Sequence, residues 1–428
     1  MMPFSPWRDF VVRPLDHAST HEAQPQPVPH DRLDSVCGIV LAGSHHWGDG
    51  AFERVLRGPL LPVAQTPLIC YSLEWLNAGG VRQAVLCANS STPAVRDYLG
   101  DGAAMGVSLE YFEDHEPRGP AGCARDAALL STAETFVVVE GTLVPSLDLA
   151  ELLRTHRASG VGATIVVEVD RRGGGDGRGR PRLPGGIYVF ERRVLEGIAP
   201  RGYQDIKQGL LERLHAAGEH VAMHEVQGLS PRVLDYGSYT SVSRWLITRA
   251  IKRPTFLADY TRVGDGLHHP TASVHPTARL VGPVLLGPGA RVEAGAVLVG
   301  PTSVGAGSVV GAGALVSRAL VWDHCTIGEA AIVDASMLAD HSTVAAAERV
   351  YGAVQIQDEV IAPRPLPERV ATKPATKSAR PALQPAAAPV YHMPPRTSQP
   401  VQLPAGFALR FAAASDRRVG SGEHTAIA

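Results

Sequence analysis

A six-residue period between Val274 and Trp322 constrains the fold of this chain more than any other feature. Apolar residues recur on one phase of the period, and small or β-branched residues follow four positions after most of them. The apolar set comprises Val274, Leu280, Leu286, Val292, Leu298, Val304, Val310, Val316 and Trp322. Such a repeat is typical of a parallel β-helix, because each apolar side chain then points inward from a successive face. The sequence therefore predicts a β-helix of about four coils.

The repeat also predicts where this domain lies. The phase shifts by one residue after Trp322. The next apolar position, Ile327, comes five residues later instead of six, and Val333 then follows at the regular spacing of six. The pattern resembles that of left-handed β-helices. We therefore expect residues 273–350 to form a left-handed parallel β-helix, joined to the preceding domain by a linker at 251–272.

The region upstream, residues 36–250, alternates short apolar runs with amphipathic segments, which predicts a mostly parallel sheet covered by helices. Its first run, Gly38 to Ala42, is continuously apolar and is followed by Gly43. This pattern favours a buried parallel strand. The loop leaving the carboxyl end of such a strand is where α/β proteins bind nucleotides, so the first candidate site begins at Gly43.

Composition and charge exclude several classes of function. The formal net charge is −2 and the sequence pI is about 6.8, so we expect neither a nucleic acid nor an anionic membrane as partner. The five cysteines form no C-x-x-C pair, which argues against zinc and disulfides and favours the cytoplasm. No apolar run reaches the about 18 residues of a membrane span. The polar leader at 1–35 and the Pro/Ala-rich tail at 351–428 are predicted to be disordered.

Four segments of the first region resemble one enzyme family. They are GIVLAG with GPLLPVAQTPLI near the start, then GPAGCARDAALL at 119–130, GGIYVFERRVLEGI at 185–198 and VLDYGSYTS at 233–241. Together they resemble the sugar-1-phosphate nucleotidyltransferases, and WDHCTIGE at 322–329 is similar to the C-terminal domain of the mannose-1-phosphate guanylyltransferases. The resemblance implies a Rossmann-like nucleotidyltransferase domain of the GT-A type. It also implies conversion of an NTP and a sugar 1-phosphate to an NDP-sugar and pyrophosphate, with Mg²⁺.

The chain departs from that family where the family's chemistry is carried. Residues 44–48 replace the family's G-x-G-T-R segment, Gly58 stands in place of its lysine, and Thr142 in place of its first magnesium-binding aspartate. The resemblance leaves these candidates: a catalytic cation at Arg57, nucleotide contacts at Gly43, Gly119, Ala121 and Gly122, and Mg²⁺ ligands at Asp235 and Glu140. The small residues at 119–122 suit packing against a neighbouring strand equally well, because they present almost no side chain.

These departures predict an impaired family member. We expect a regulatory, scaffold or nucleotide-sugar-binding subunit, either a homo-oligomer or a complex with an active paralogue. One alternative is an active nucleotidyltransferase, such as a mannose-1-phosphate guanylyltransferase, that uses Arg57 together with Asp235 and Glu140. A second alternative is a hexapeptide-repeat acyltransferase, for which His275, His324 and His341 are the candidate bases.

Overall fold

The computed structural model of the protein describes residues 35–43, 58–114, 118–169, 182–228, 230–250 and 257–361. Almost all of the predicted leader, most of the predicted tail and residues 44–57 lie outside these ranges. The described residues form an α/β domain followed by stacked parallel strands of a β-helix, which confirms the predicted fold class.

The α/β domain contains nine described strands and seven described α-helices. The strands are β1 (Val36–Leu41), β2 (Pro62–Val63), β3 (Thr66–Pro67), β4 (Gln83–Cys87), β5 (Ser108–Phe112), β6 (Thr135–Glu140), β7 (Ala163–Val169), β8 (Arg182–Glu191) and β9 (Val221–Gln227). The helices are α1 (Leu68–Ala78), α2 (Thr92–Leu99), α3 (Gly119–Ala128), α4 (Leu149–Ser159), α5 (Arg192–Glu196), α6 (Leu211–Ala216) and α7 (Tyr236–Ala250), with a π-helical turn at Ile206–Leu210. None of the described helices has both the length and the apolar character of a membrane span.

Seven of these strands form one sheet in the order β5-β4-β1-β6-β8-β7-β9. β1 pairs in parallel with both β4 and β6, whereas β8 is antiparallel to its two neighbours. The carboxyl ends of β1, β4 and β6 therefore lie side by side, at what we call the carboxyl edge. In open α/β sheets, ligands bind in the crevice outside this edge.

The central strands are continuously apolar because helices cover the sheet. In β6, Val137 and Val139 are fully buried and pack in a cluster that includes residues of α1 and α4. α4 begins where the Asp148 side chain accepts a hydrogen bond of 3.1 Å from the Glu151 amide, and it ends at Gly160 with φ +63°. These are the capping residues that helix ends favour, so the local sequence and the packing specify the same element.

The β-helix is built from three stacked sheets, one per face. The eight-stranded face contains β10 (Thr261–Val263), β11 (Gly266–His268), β14 (Val284–Leu286), β17 (Thr302–Val304), β20 (Leu320–Val321), β23 (Met337–Leu338), β26 (Val354–Ile356) and β27 (Glu359–Ile361). A five-stranded face contains β12 (Ser273–Val274), β15 (Arg291–Val292), β18 (Val309–Val310), β21 (Thr326–Ile327) and β24 (Thr343–Val344). The other contains β13 (Arg279–Val281), β16 (Val297–Val299), β19 (Leu315–Ser317), β22 (Ile332–Asp334) and β25 (Arg349–Tyr351). The strands of this domain thus begin before residue 273 and continue past residue 350.

The hexad positions point inward as expected, but the phase shift occurs earlier than the sequence predicts. Leu286 pairs with Val304, so one coil takes 18 residues there. The hydrogen bond from the Gly289 amide to the Thr271 hydroxyl also joins residues 18 apart on adjacent coils. Val304 then pairs with Val321 rather than with Trp322, and the coil shortens to 17 residues. Val321 takes the inward position because the chain loses its extra residue before Trp322. The predicted inward position of Trp322 is therefore wrong.

The eight-stranded face packs against the α/β domain. Leu285 of β14 points outward into an apolar cluster shared by both domains, whereas its neighbour Leu286 points into the β-helix. Trp322 Nε1 donates a hydrogen bond of 2.7 Å to the Tyr239 hydroxyl, which in turn donates to the Pro62 carbonyl oxygen at 2.8 Å. The polar contacts therefore run from the β-helix to residues 59–63, which we call the PLLPV segment.

Gln65 makes a second polar connection between the two domains. It lies between β2 and β3 with φ +65°, and its Nε2 donates to the carbonyl oxygens of Val304 at 2.8 Å and Leu285 at 3.3 Å. Its Oε1 accepts a hydrogen bond of 2.9 Å from the Tyr260 hydroxyl. The segment that resembles the family's active-site motif is thus held directly by the β-helix.

Candidate functional site

The carboxyl edge brings together the residues that follow β1, β4 and β6. Gly43 follows β1, and a Cβ atom placed there would lie 3.1 Å from Nδ2 of Asn89, which follows β4. Asn89 has φ +48°, and its Oδ1 is buried without a hydrogen-bond partner among the described residues. Gly43 therefore lies beside an unsatisfied amide oxygen at this edge, and its contact with a nucleotide stays a prediction.

The predicted nucleotide contacts at the start of α3 pack against another chain segment. Gly119 has φ +78°, and a Cβ atom there would lie 2.6 Å from the carbonyl oxygen of Gln204. The Ala121 amide donates to the same oxygen at 3.0 Å, and Ala121 is fully buried. A Cβ atom on Gly122 would lie 2.7 Å from Cβ of Arg118. In the structure these small residues allow close backbone packing, and their contact with a nucleotide also stays a prediction.

Three charged side chains meet where β6 ends. Lys207 Nζ lies 2.9 Å from Oε1 of Glu140, and Arg232 Nη1 lies 2.7 Å from Oε2 of the same carboxylate. The side chain of Lys207 is 34% exposed, that of Arg232 19% and that of Glu140 27%. We call this group of three residues the Glu140 cluster. It holds one negative and two positive charges in a half-buried position at the carboxyl edge.

The chain before α7 brings Arg232 to Glu140. Arg232 forms an antiparallel bridge with Leu143, and the Val233 amide donates to the Thr142 carbonyl oxygen at 2.9 Å. Arg232 Nη2 also donates to the Pro184 carbonyl oxygen at 3.2 Å. The guanidinium is therefore fixed by backbone pairing and by a second hydrogen bond, independently of Glu140.

The surroundings of Glu140 shift its pKa in two opposite directions. Burial raises the pKa of the carboxyl, but Lys207 and Arg232 together outweigh burial and lower the pKa below its usual value. The Tyr188 hydroxyl donates to Glu140 Oε1 at 3.4 Å. The pKa of Tyr188 is raised, mainly by burial and to a smaller extent by the negative charge of Glu140. Gly186 has φ +70°, and a Cβ atom there would lie 2.7 Å from Glu140 Oε2, so the cluster needs glycine at that position. Glu140 is ionised at neutral pH.

The structure places Asp235, the other predicted metal ligand, at the start of α7. Its Oδ1 accepts hydrogen bonds from the Ser238 amide at 2.6 Å and from the Ser238 hydroxyl at 2.7 Å. The Asp235 carbonyl oxygen also accepts a hydrogen bond of 2.9 Å from the Tyr239 amide. These are the contacts of a carboxylate that caps a helix.

The structure also locates residues that the sequence did not single out. Among the described residues, Lys207 and Arg232 are cations that contact Glu140 at the carboxyl edge, and they lie far from it along the chain, Arg232 by 92 residues. Arg232 immediately precedes the segment 233–241 that carries the resemblance, and this position in the sequence could have indicated it. Arg57, the predicted catalytic cation, lies outside the described residues.

The candidate bases for acyl transfer lie on the outer surface of the β-helix. His275 is exposed, and its Nδ1 lies 2.9 Å from the Thr277 hydroxyl. His324 and His341 are exposed and stack on each other, with ring centroids 5.2 Å apart. Their geometry is that of a surface stack on adjacent coils.

Comparison with known proteins supports the resemblance in both domains. The family model described as "Nucleotidyl transferase" matches residues 53–173, and the model described as "GMPPB C-terminal domain" matches residues 280–364. The chain is 29% identical over 279 residues to a mannose-1-phosphate guanylyltransferase of Mycobacterium tuberculosis, with 59% of this chain and 75% of the relative covered. In both domains the chain is similar to the sugar-1-phosphate nucleotidyltransferases.

Within that family it resembles the mannose-1-phosphate guanylyltransferases. The mannose-1-phosphate guanylyltransferase 1 of Arabidopsis thaliana is 31% identical over 113 residues, with 26% of this chain and 31% of that protein covered. A glucose-1-phosphate thymidylyltransferase of Mycolicibacterium smegmatis is 38% identical over 85 residues, with 20% and 30% covered. The M. tuberculosis protein, by contrast, aligns over most of its own length.

Sugar-1-phosphate nucleotidyltransferases are typically metal-dependent, and the described residues at the carboxyl edge do not fit Mg²⁺. A hard divalent cation needs charged oxygen ligands with free lone pairs. Glu140 is already neutralised by two cations, Thr142 offers a neutral hydroxyl, and Asp235 Oδ1 caps its own helix. Within the described ranges, no three His, Cys, Asp or Glu side chains are grouped so as to hold a metal ion.

Proposed function

We propose that this protein is a nucleotide- or nucleotide-sugar-binding member of its family with little or no pyrophosphorylase activity. In this proposal it acts as a regulatory or scaffold subunit in the cytoplasm. The observation that supports the proposal is the Glu140 cluster. The carboxylate at the end of β6 is committed to Lys207 and Arg232, where the family resemblance implies an acidic metal site.

The expected loss of activity follows from the charge that the reaction develops. In-line attack of a sugar phosphate on the α-phosphorus of an NTP builds negative charge, which preorganised cations must stabilise. The position of the family lysine is Gly58, which has φ +52° and carries no side chain. Removal of one such group typically slows a reaction by about a hundredfold to a thousandfold. Loss of both the lysine and the metal ligand is expected to abolish measurable turnover.

Ligand binding does not require the same groups. The fold retains the parallel strands β1, β4 and β6, whose carboxyl ends form the crevice in which α/β sheets bind ligands. Gly43 is exposed at this edge, and the Glu140 cluster holds two cations and one carboxylate. These features favour an anionic ligand such as a nucleotide or a nucleotide sugar.

The β-helix supports the proposal that the protein acts within an assembly. It packs on the α/β domain through one face and presents its two five-stranded faces elsewhere. Resemblance to the C-terminal domain of guanylyltransferases favours a role in subunit contacts. We propose a homo-oligomer or a complex with an active paralogue.

A pyrophosphate-release assay tests the proposed loss of activity. The purified chain is incubated with GTP, mannose 1-phosphate and Mg²⁺, and the M. tuberculosis relative serves as the positive control. We expect no release above background from this chain and thermal stabilisation by GDP-mannose. Turnover that disappears in Asp235→Ala would contradict the proposal and would support an active guanylyltransferase.

A further inference from the structure

We propose that the Glu140 cluster is a metal-independent diphosphate-binding site, in which Lys207 and Arg232 contact the phosphates directly. This inference rests on the proposed nucleotide binding and specifies how the ligand is held. The two side chains take the place of the divalent ion, and Glu140 keeps them in position when no ligand is bound.

The charge of the Glu140 cluster favours an anionic ligand. One carboxylate lies between two cations, so the cluster carries a net positive charge of about one. Asp205 is a second acidic group nearby, and its Oδ1 accepts hydrogen bonds of 2.7 Å from the amides of Lys207 and Gln208. That oxygen is bonded to backbone donors, so it does not occupy the side-chain donors of Lys207 or Arg232. A half-buried positive charge attracts an anion more strongly than one in bulk water does.

Lys207 and Arg232 also have hydrogen-bond donors to spare. A lysine ammonium has three N–H donors, and Glu140 is the one partner that the described residues give Lys207. An arginine has five N–H donors. Arg232 uses Nη1 to donate to Glu140 Oε2 and Nη2 to donate to the Pro184 carbonyl oxygen. Both side chains are partly exposed, so their remaining donors can reach a ligand in the crevice.

The geometry of the cluster also suits linked phosphates. The guanidinium of an arginine matches phosphate oxygens with two parallel hydrogen bonds, whereas a lysine acts as a point charge. The backbone bridge between Arg232 and Leu143 and the glycine at 186 fix the cluster at the carboxyl edge. Two cations on either side of one carboxylate suit the two linked phosphates of a nucleoside diphosphate.

This arrangement gives Glu140 a role opposite to that of a metal ligand. Because Glu140 competes with the ligand for both cations, its neutralisation should strengthen anion binding. A carboxylate that held Mg²⁺ would weaken binding when neutralised. The sign of the effect of Glu140→Gln therefore separates the two hypotheses.

The test is calorimetric titration of the full chain with GDP, with pyrophosphate as a second probe, each in Mg²⁺ and in EDTA. We expect affinities that agree within about twofold with and without the metal. Arg232→Gln and Lys207→Gln should each weaken binding by about tenfold or more, since each removes charge-assisted hydrogen bonds. Glu140→Gln should bind more tightly than the parent chain.

Two further variants control for charge and folding. Arg193→Gln removes an arginine that pairs with Glu219 and is 57% exposed, and it should leave GDP affinity unchanged. Arg232→Lys keeps the charge but loses the planar fork, so it should fold and bind with intermediate affinity. Melting temperatures of all variants confirm that the proteins compared are folded.

The outcomes distinguish the inference from the proposed function. GDP binding that requires Mg²⁺, or that weakens in Glu140→Gln, would overturn the inference and leave nucleotide binding established. Metal-free pyrophosphate binding without GDP binding would support the diphosphate site and refute the proposed nucleotide ligand. Absence of binding by either probe to the folded chain would overturn both.

Discussion

The carboxylate of Glu140 determines much of the chemistry at the candidate site. Each of its oxygens accepts from a different cation, Oε1 from Lys207 and Oε2 from Arg232. Removal of a carboxylate between two half-buried cations leaves both without a counter-charge, which costs more than the net gain from a single hydrogen bond. Glu140 is therefore expected to stabilise the fold as well as to adjust ligand binding.

The contribution of Glu140 to stability should depend on pH. Its pKa in the folded protein lies below its usual value of 4.5, because Lys207 and Arg232 outweigh burial. The stabilisation is thus complete above the usual pKa and is lost as pH falls through the lower folded pKa. We expect Glu140→Gln to lower the free energy of unfolding by about 1–3 kcal/mol at about pH 7. The difference from the parent chain should shrink at about pH 3.

Denaturant unfolding at several pH values checks this expectation. The groups facing Glu140 are the Lys207 ammonium, the Arg232 guanidinium and the Tyr188 hydroxyl. Glu134→Gln is the control, since that side chain is 72% exposed, and it should change stability little at any pH. A Glu140→Gln effect of the same size at both pH values would show that shape, rather than charge, is responsible.

The sequence predicts which residues at the site are acidic, but it does not predict their partners. Asp235 was a candidate because it stands in a segment with a family resemblance, and Glu140 because it lies two residues before Thr142, which replaces the family's aspartate. Arg232 is 92 residues from Glu140, and backbone pairing of residues 231–233 with residues 142–144 brings the two together. Contacts of this kind depend on tertiary pairing, which no local pattern in a single sequence encodes.

At the scale of elements, the β-helix is predictable from the sequence because apolar residues recur every six positions and each is buried when it points inward. The register cannot be predicted to the same accuracy, since Val321 and Trp322 are both apolar and either would fit the phase. Packing decides between them: the Trp322 indole donates to Tyr239 outside the coil, and Val321 fills the interior. The α/β domain thus selects the register of the β-helix.

Inward and outward positions of the β-helix should differ sharply in their tolerance of substitution. Leu298 is fully buried in the β-helix interior, whereas Val281 on the same face is 47% exposed. We expect Leu298→Ala to lower the free energy of unfolding by about 2–5 kcal/mol, through lost burial and an unfilled cavity. Val281→Ala, the matched control, should change it by no more than about 0.5 kcal/mol. Urea denaturation measures both, and equal effects would contradict the assigned inward and outward positions.

At the scale of the whole molecule, the two domains share one apolar cluster. It contains Leu61 and Val63 of the PLLPV segment, Leu246 of α7, and Leu285 and Met337 of the eight-stranded face. Because neither domain covers this surface alone, we expect them to stabilise each other. The position of the PLLPV segment at the candidate site then depends on an intact β-helix.

Thermal unfolding of the full chain should therefore occur in a single transition that includes both domains. Leu285 is 2% exposed and points into the shared cluster, so Leu285→Asp places an unpaired charge there. We expect this variant to unfold in two separate transitions, measured by differential scanning calorimetry as a calorimetric enthalpy that exceeds the van't Hoff enthalpy. Val281→Asp introduces the same charge at an exposed position of another face and should keep the single transition. Two transitions in the unmodified chain would show that the shared cluster does not couple the domains, because a coupled pair cannot lose one partner while the other stays folded.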